Sequence, residues 1–378
     1  MNPLRQKIEQ EIRERGPIPF SRYMELCLYD PEHGYYSRNA EQFGKAGDFY
    51  TSSDVHKVFG RLLARQFDEM WRALGSPEKI ELIELGPGRG LFAQDVLDWS
   101  EKKFPDFFRA LRYILIESSS ALRQRLETIL GRHVESRKAE ITVVYPQDEF
   151  SVGSSPTIVF ANEFFDALPV EVLSANGSLR IDAPDGRFIE TWAPPSPEEF
   201  EFLDRYSIHP EPHERVEVSL VAQRYMNQIA ANLQRGFLIA IDYGYTREEQ
   251  LAGRHRGTLK ALRQHSISAH PYEAPGEQDI TADVNFTALA ATADKHDMQA
   301  HKLVTQSQFL MGIGEANQFA DAFEECRLPQ ECAKVALQLK HLVTPAGMGE
   351  SFQVLIASKG VEEEKVLTLS GLTFGLRR

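Results

Sequence analysis

Carboxylates set beside glycines, and carboxylates set beside an amide, are the groups in this sequence whose spacing suggests chemistry. Glu84-Leu85-Gly86-Pro87-Gly88-Arg89-Gly90 is the first such group, and Asn162-Glu163-Phe164-Phe165-Asp166 is the second. Glu117 closes an apolar run, Asp242-Tyr243 closes another, and Asp48 sits among aromatics in Gly47-Asp48-Phe49-Tyr50. Glycines let a backbone turn tightly and approach a ligand closely. A carboxylate beside such a turn accepts hydrogen bonds or faces a positive charge. Two carboxylates near an amide suit a different task, which is to hold a charged group and relieve it of a proton.

These groups need rigid elements behind them. Ile80, Leu82, Ile83 and Leu85 predict a buried strand, and Leu91, Val96, Leu97 and Phe104 recur at helical spacing after the glycines. Strand, glycine turn and helix form the opening unit of a nucleotide-binding α/β fold, with free helix amides facing the ligand. RYILIES (112–118) predicts the next parallel strand, placing Glu117 where an acid bonds ribose hydroxyls. EITVVY (140–145) predicts a third strand. Ile158–Ala161 predicts another, with Asn162 and Glu163 at the carboxyl edge that faces the ligand crevice. GFLIAIDYG (236–244) ends in Asp242-Tyr243 at the same edge, and ESFQVLIASKG (350–360) supplies a last strand.

Around this core, helices are expected at 4–15, 20–28, 54–74, 120–130, 216–234, 286–295 and 315–341, with a strand within 298–304. Short apolar runs broken by Asn176-Gly177-Ser178 and Pro184-Asp185-Gly186 predict an antiparallel meander from Glu171 to Trp192. Pro194-Pro195-Ser196-Pro197 reads as a stiff linker, and the basic stretch from Arg247 to His270 as a solvated face. The loop at 44–53, with Gly44 and Gly47 as hinges and Phe49 and Tyr50 as cover, is expected to close over bound ligands; packing on the following helix is its simpler alternative.

A net charge of −13 over 378 residues argues against nucleic acid or an anionic membrane surface as partner. The three cysteines cannot build a disulfide framework, which suits a reducing compartment. No apolar run approaches the ~20 residues of a membrane span, and Met1–Ile18 lacks an apolar signal region. The expected setting is therefore cytoplasmic. No metal ligand set is expected, because Pro210 and Pro212 separate His209 from His213.

The ligand stays open between two cofactors. Gly88-Arg89-Gly90-Leu91-Phe92-Ala93 fits the dinucleotide pattern G-x-G-x-x-A. Glu84 is an awkward neighbour for a pyrophosphate and a suitable one for the cation S-adenosylmethionine. Glu117 also lies farther from Gly90 than the ~20 residues of the dinucleotide fingerprint. Turn formation by Asn162 and Asp166, and helix capping by Glu117, are the purely structural alternatives.

Several stretches in this order resemble one family. They are YMELCLYDPEHGYY (23–36), GDFYTSS (47–53), ELGPGRG (84–90), ANEFFDALPV (161–170), IDYG (241–244), GTL (257–259), DITADVNF (279–286) and MGESFQVLIASKG (348–360). Together they are similar to the MidA-like methyltransferases, a family that includes a mitochondrial protein arginine methyltransferase of complex I assembly. The resemblance implies an α/β class I methyltransferase, with a Rossmann-like, mostly parallel seven-stranded sheet, an N-terminal helical segment and an inserted α+β lobe. The expected division is 1–75 for the N-terminal segment and active-site loop, 76–170 and 235–360 for the core, and 171–234 with about 245–285 for the lobe. The resemblance implies S-adenosylmethionine as cofactor, contacted by Glu84, Gly86, Pro87, Gly88, Gly90, Glu117 and Asn162. Asn162, Glu163, Asp166 and Asp48 would serve the chemistry, with Asp242 and Tyr243 farther out. The implied acceptor is a protein arginine, in a respiratory complex I subunit or its bacterial counterpart. A methyltransferase on another acceptor, a nicotinamide-dependent oxidoreductase and a non-catalytic assembly factor remain the alternatives.

Overall fold

A computed structural model describes residues 2–37, 57–144, 153–263, 266–268 and 271–374. The chain begins with α1 (Pro3–Arg15), where Asn2 accepts the Arg5 amide and Gly16 closes the helix in a left-handed turn. α2 (Phe20–Tyr29) and α3 (Lys57–Ala73) follow. The glycine turn joins β1 (Ile80–Leu85) to α4 (Leu91–Lys103). Next come β2 (Leu111–Ile116), α5 (Ser120–Ile129), β3 (Ala139–Thr142) and β4 (Thr157–Asn162).

An antiparallel group then interrupts the alternation: β5 (Glu171–Ser174), β6 (Gly177–Asp182) and β7 (Ile189–Ala193), followed by α6 (Pro197–Tyr206) and β8 (Arg215–Val218). α7 (Leu220–Asn232) leads back to the main sheet at β9 (Gly236–Tyr245). β10 (Lys260–Arg263), β11 (Asp279–Thr281), α8 (Phe286–Asp294), α9 (Gln306–Glu315), α10 (Pro329–Val343) and β12 (Phe352–Lys359) complete the elements used below.

Among the described residues the main sheet has nine strands, and its path runs Gln299–Ala300, β12, β9, β4, β1, β2, β3. Every pair from β9 to β3 is parallel, while β12 and the short strand at its side are antiparallel. This is the expected mostly parallel, seven-stranded path. Two more two-residue strands, Val284–Asn285 and Val304–Thr305, join it off the path. The order reverses between β1 and β4, so the loops leaving their carboxyl ends splay apart and open a crevice there. β1 delivers the glycine turn to that crevice and β4 delivers Asn162 and Glu163.

Both faces of the sheet are covered, which is why its strands read as continuous apolar runs. On one face Phe59, Leu62 and Phe67 of α3 and Phe92 and Val96 of α4 pack on Leu82, Phe160 and Ile239. The rings of Phe92 and Phe160 stack 4.6 Å apart. On the other face Met226 and Ile229 of α7 and Leu289 of α8 pack on Ile83, Val159 and Leu238.

In the antiparallel group β6 lies between Ile18–Pro19 and β5, β8 pairs with β5, and β7 also pairs with β6. Its apolar side meets Leu4, Ile8, Phe20 and Met24, so α1 and α2 belong to the core of this lobe. The packing therefore crosses two expected boundaries. Within 1–75, α1 and α2 go with the lobe and α3 with the main sheet; within 171–234, α7 goes with the main sheet.

Three local expectations fail for identifiable reasons. Residues 216–234 are not one helix, because Val216 and Val218 alternate as a strand opposite Leu173 and Glu171 before α7 begins. Ser196 is not linker: it caps α6 in a reciprocal pairing with Glu199, with Pro197 at the first helical position. The helix expected over 315–341 is broken, since α9 ends at Glu315 and Pro329, which cannot sit inside a helix, opens α10. The third strand stops at Thr142, and 298–304 contributes only the short pairings already given.

Candidate functional site

Gly86, Gly88 and Gly90 all adopt left-handed backbone conformations, with φ of 64°, 54° and 79°. At Gly86 a Cβ would lie 3.1 Å from the Phe164 ring, and at Gly90 it would lie 2.5 Å from Leu126 Cδ2. The turn is pinned to β2 by the Gly86 amide, which donates to the Ile116 carbonyl at 3.1 Å. Gly90 then starts α4 without a side-chain cap, leaving first-turn amides available at the crevice.

A cavity opens above this turn. Glu84, Gly86, Pro87, Gly88, Gly90, Glu117, Asn162 and Glu163 all line it, so the structure brings together eight of the residues expected from sequence. Glu84 is 5% exposed and accepts the Tyr113 hydroxyl at 2.8 Å. Burial pushes its carboxyl up to about 8, against the pull of that hydroxyl. Glu117 is 7% exposed and accepts the Ser119 amide at 2.7 Å. Burial pushes it up to about 7, opposed by the Ser119 amide and the Arg123 charge.

Asn162 ends β4 and turns its side chain along the cavity wall. Its Nδ2 donates to Glu163 Oε1 at 3.0 Å, while its buried Oδ1 has no hydrogen-bond partner among the described residues. Glu163 has φ 51°, a conformation costly for any residue with a Cβ. Its amide donates to the Ile241 carbonyl at 2.9 Å, which ties this corner to β9.

The next turn is held by Asp242, which is 1% exposed. Its carboxylate accepts the amides of Phe165, Asp166 and Tyr243 at 3.0, 3.2 and 2.9 Å. Burial, then the charges of Asp166 and Glu163, push this group well above the usual carboxylate range. Asp166 does not line the cavity. It is buried, and its carboxyl is pushed up to about 7 by burial and by the charges of Asp279 and Asp283. Asp48, like Gly44, Gly47, Phe49 and Tyr50, lies outside the described residues.

Aromatic side chains complete the walls, and sequence reading had not assigned them there. Tyr29 and Tyr36 come from the N-terminal segment, their rings 5.5 Å apart. Their hydroxyls donate to the Ala167 carbonyl at 2.9 Å and to Asp279 Oδ1 at 3.0 Å. Phe164 and Tyr225 meet edge to face at 5.3 Å. The tyrosine-rich stretch after Gly34 was a visible signal for Tyr36, whereas Tyr29, at the end of α2, and Tyr225, inside α7, were hidden by helical period. No group of three or more metal-ligating side chains occurs among the described residues.

The model of a family described as "Putative S-adenosyl-L-methionine-dependent methyltransferase" matches residues 62–304, more than half of the chain. The chain belongs to this family. Among its relatives, the Drosophila melanogaster homolog of the mitochondrial protein arginine methyltransferase NDUFAF7 is 29% identical over 392 residues, covering 95% of this chain and 85% of the relative. The human NDUFAF7 protein is 26% identical over 381 residues, covering 93% of this chain and 82% of its own length. Among solved structures, a Burkholderia thailandensis protein bound to S-adenosyl-homocysteine is similar with a TM-score of 0.81 and 28% identity, over 95% of this chain and 92% of that one.

Family membership sets aside the dinucleotide reading of Gly88–Ala93 and makes S-adenosylmethionine the cofactor. The cavity fits that molecule on its own features. Its floor is a turn of left-handed glycines, its wall carries an unpaired buried acceptor at Asn162, and the buried carboxyls of Glu84 and Glu117 line it, a set that suits a cationic ligand.

Proposed function

We propose that this protein transfers a methyl group from S-adenosylmethionine to an arginine side chain of a protein. The observation that carries this reading is the corner at Asn162-Glu163. There a carboxylate is placed on the cavity wall by a strained backbone, and an amide beside it keeps one acceptor open. Strain of this kind persists where the surrounding structure enforces it, and it concentrates at functional sites. The names of the NDUFAF7 relatives support arginine as acceptor. The family resemblance points to a respiratory complex I subunit, or its bacterial counterpart, as the protein that carries it.

The glycine turn would hold the amino-acid end of the cofactor, Glu117 its ribose hydroxyls, and Glu84 and Asn162 Oδ1 its ammonium side. The bound cofactor supplies a methyl group on a positively charged sulfur. A guanidinium has a pKa above ~12 and is a poor nucleophile until it loses a proton. Glu163 would accept hydrogen bonds from the guanidinium, align the reacting nitrogen with the methyl carbon and take the proton as the new N–C bond forms. Asp166 and Asp242 act behind it: Asp242 fixes the turn, and Asp166 adds negative charge on the acceptor side.

The experiment is mass spectrometry of arginine-containing peptides from cells with and without the gene, followed by transfer of labelled methyl to the identified protein. A methyl mark on arginine that disappears with the gene supports the reading. A mark on another side chain selects a different acceptor. Cofactor binding with no transfer to any partner selects the assembly-factor alternative.

A further inference from the structure

The seat of the acceptor is legible beyond the cofactor cavity, and this step rests on the arginine reading above. Tyr243 lies near the end of β9, opposite Phe352 of β12, and the two ring centroids are 3.9 Å apart. A strand pair thus fixes the Tyr243 ring from below. The ring is partly exposed, and a cation of the chain itself stands over it: Lys260 Nζ lies 5.6 Å from the centroid. The same ammonium donates to Asp283 Oδ1 at 3.0 Å, and its side chain is 42% exposed. Burial, and then the charges of Glu163, Asp166, Asp242 and Asp283, push the Tyr243 hydroxyl well above its usual range, and Glu163 also lines the cofactor cavity.

An aromatic face bordered by carboxylates attracts organic cations. A guanidinium is planar, stacks on rings and is more weakly hydrated than an ammonium, so it competes well for such a face against a lysine. We propose that the Tyr243 ring is the seat of the acceptor guanidinium, and that Lys260 is a resident cation that keeps this seat until the acceptor displaces it. Glu163 lines the cofactor cavity and its charge acts on Tyr243, so it would serve both seat and cavity.

Agmatine, a small alkylguanidinium, tests this by calorimetric or NMR titration into full-length protein saturated with S-adenosylhomocysteine. Lys260→Met removes the resident cation and should tighten agmatine binding by about three- to tenfold, the scale of one partly desolvated cation–ring contact. Lys260→Arg puts a better-stacking cation on the ring and should weaken agmatine binding relative to wild type. Tyr243→Leu should weaken or abolish agmatine binding with S-adenosylhomocysteine binding intact. Tyr243→Phe, which keeps the ring and guards against a packing defect, should bind agmatine normally. Weaker or unchanged binding in Lys260→Met would overturn the proposal, as would normal binding in Tyr243→Leu or no binding in any variant. Failure of the wild type to bind S-adenosylhomocysteine would instead overturn the methyltransferase reading, and this seat with it.

Discussion

Cofactor affinity should rise with pH, and the size of the effect follows from Glu117. Burial pushes this carboxyl up to about 7. A group with that pKa is ionised in about one molecule in ten at pH 6 and in about half at pH 7. If Glu117 holds the ribose hydroxyls as proposed, they bond its ionised form, so binding lowers the pKa and releases a proton. The affinity gain lies between the bound and free pKa values, on the rising side of pH. Between pH 6 and pH 7 the dissociation constant should therefore tighten about fivefold, with about half a proton released per cofactor at pH 7. Glu84, pushed up to about 8, adds to the release where the cofactor's ammonium reaches it. The window stops at pH 7 because the cofactor's own α-amino group begins to titrate near ~7.7. Calorimetry in two buffers of different ionisation enthalpy measures both quantities. Glu117→Gln should bind more weakly, and its remaining pH dependence should be only what Glu84 supplies. A wild-type constant that is flat from pH 6 to pH 7, or proton uptake on binding, would refute the reasoning.

Three further outcomes are expected. Glu163→Gln should retain cofactor affinity and lose about 10²-fold or more in turnover, the scale of one general acid–base contact, measured by methyl transfer to the identified partner. Gly86→Ala puts a side chain at φ 64° and presses on Phe164; it should cost about 1–2 kcal/mol in urea unfolding and weaken cofactor binding. Asp242→Asn turns an amide donor towards backbone amides that now donate to this side chain; it should cost about 1–3 kcal/mol, the usual penalty for a buried donor left without an acceptor.

The core was legible because its elements obey local rules. The strands at β1, β4 and β9 are apolar on both faces, and the glycine turn needs residues without a Cβ; both facts sit in short stretches. The meander was legible for the same reason, through its turn residues. What escaped depends on partners distant in sequence. Val216 and Val218 read as the first turn of a helix until β5 supplies their pairing. The Ser196–Glu199 capping box was present in the sequence, but the prolines around it suggested a linker. The departure of Asp166 from the cavity wall could not be foreseen, because it depends on Asp242, 76 residues away, which holds the turn by the Asp166 amide. Tyr29 and Tyr36 reach the cavity only because α2 packs in the lobe.

On the proposed reading the lobe would take part in the chemistry through a continuous chain of hydrogen bonds. Glu217 sits on β8 with its carboxylate buried. It accepts the Thr258 amide and hydroxyl, both at 3.0 Å, and the Leu259 amide at 3.3 Å. Thr258 Oγ1 in turn accepts the Asp283 amide at 3.1 Å, and Asp283 holds Lys260. The segment that carries Lys260 to Tyr243 is therefore anchored to the lobe sheet by a group with no contact to the cofactor cavity. On the proposed reading the main sheet would position the methyl donor through β1, β2 and β4. The lobe would then position the acceptor side through β8 and the chain at 257–260. A loss of acceptor affinity with cofactor affinity intact is thus the expected signature of damage to Glu217, and Glu217→Gln, read by agmatine and S-adenosylhomocysteine titrations on the same protein, separates the two halves of the site. Equal loss of both ligands would show that the lobe and the main sheet do not divide the work in this way.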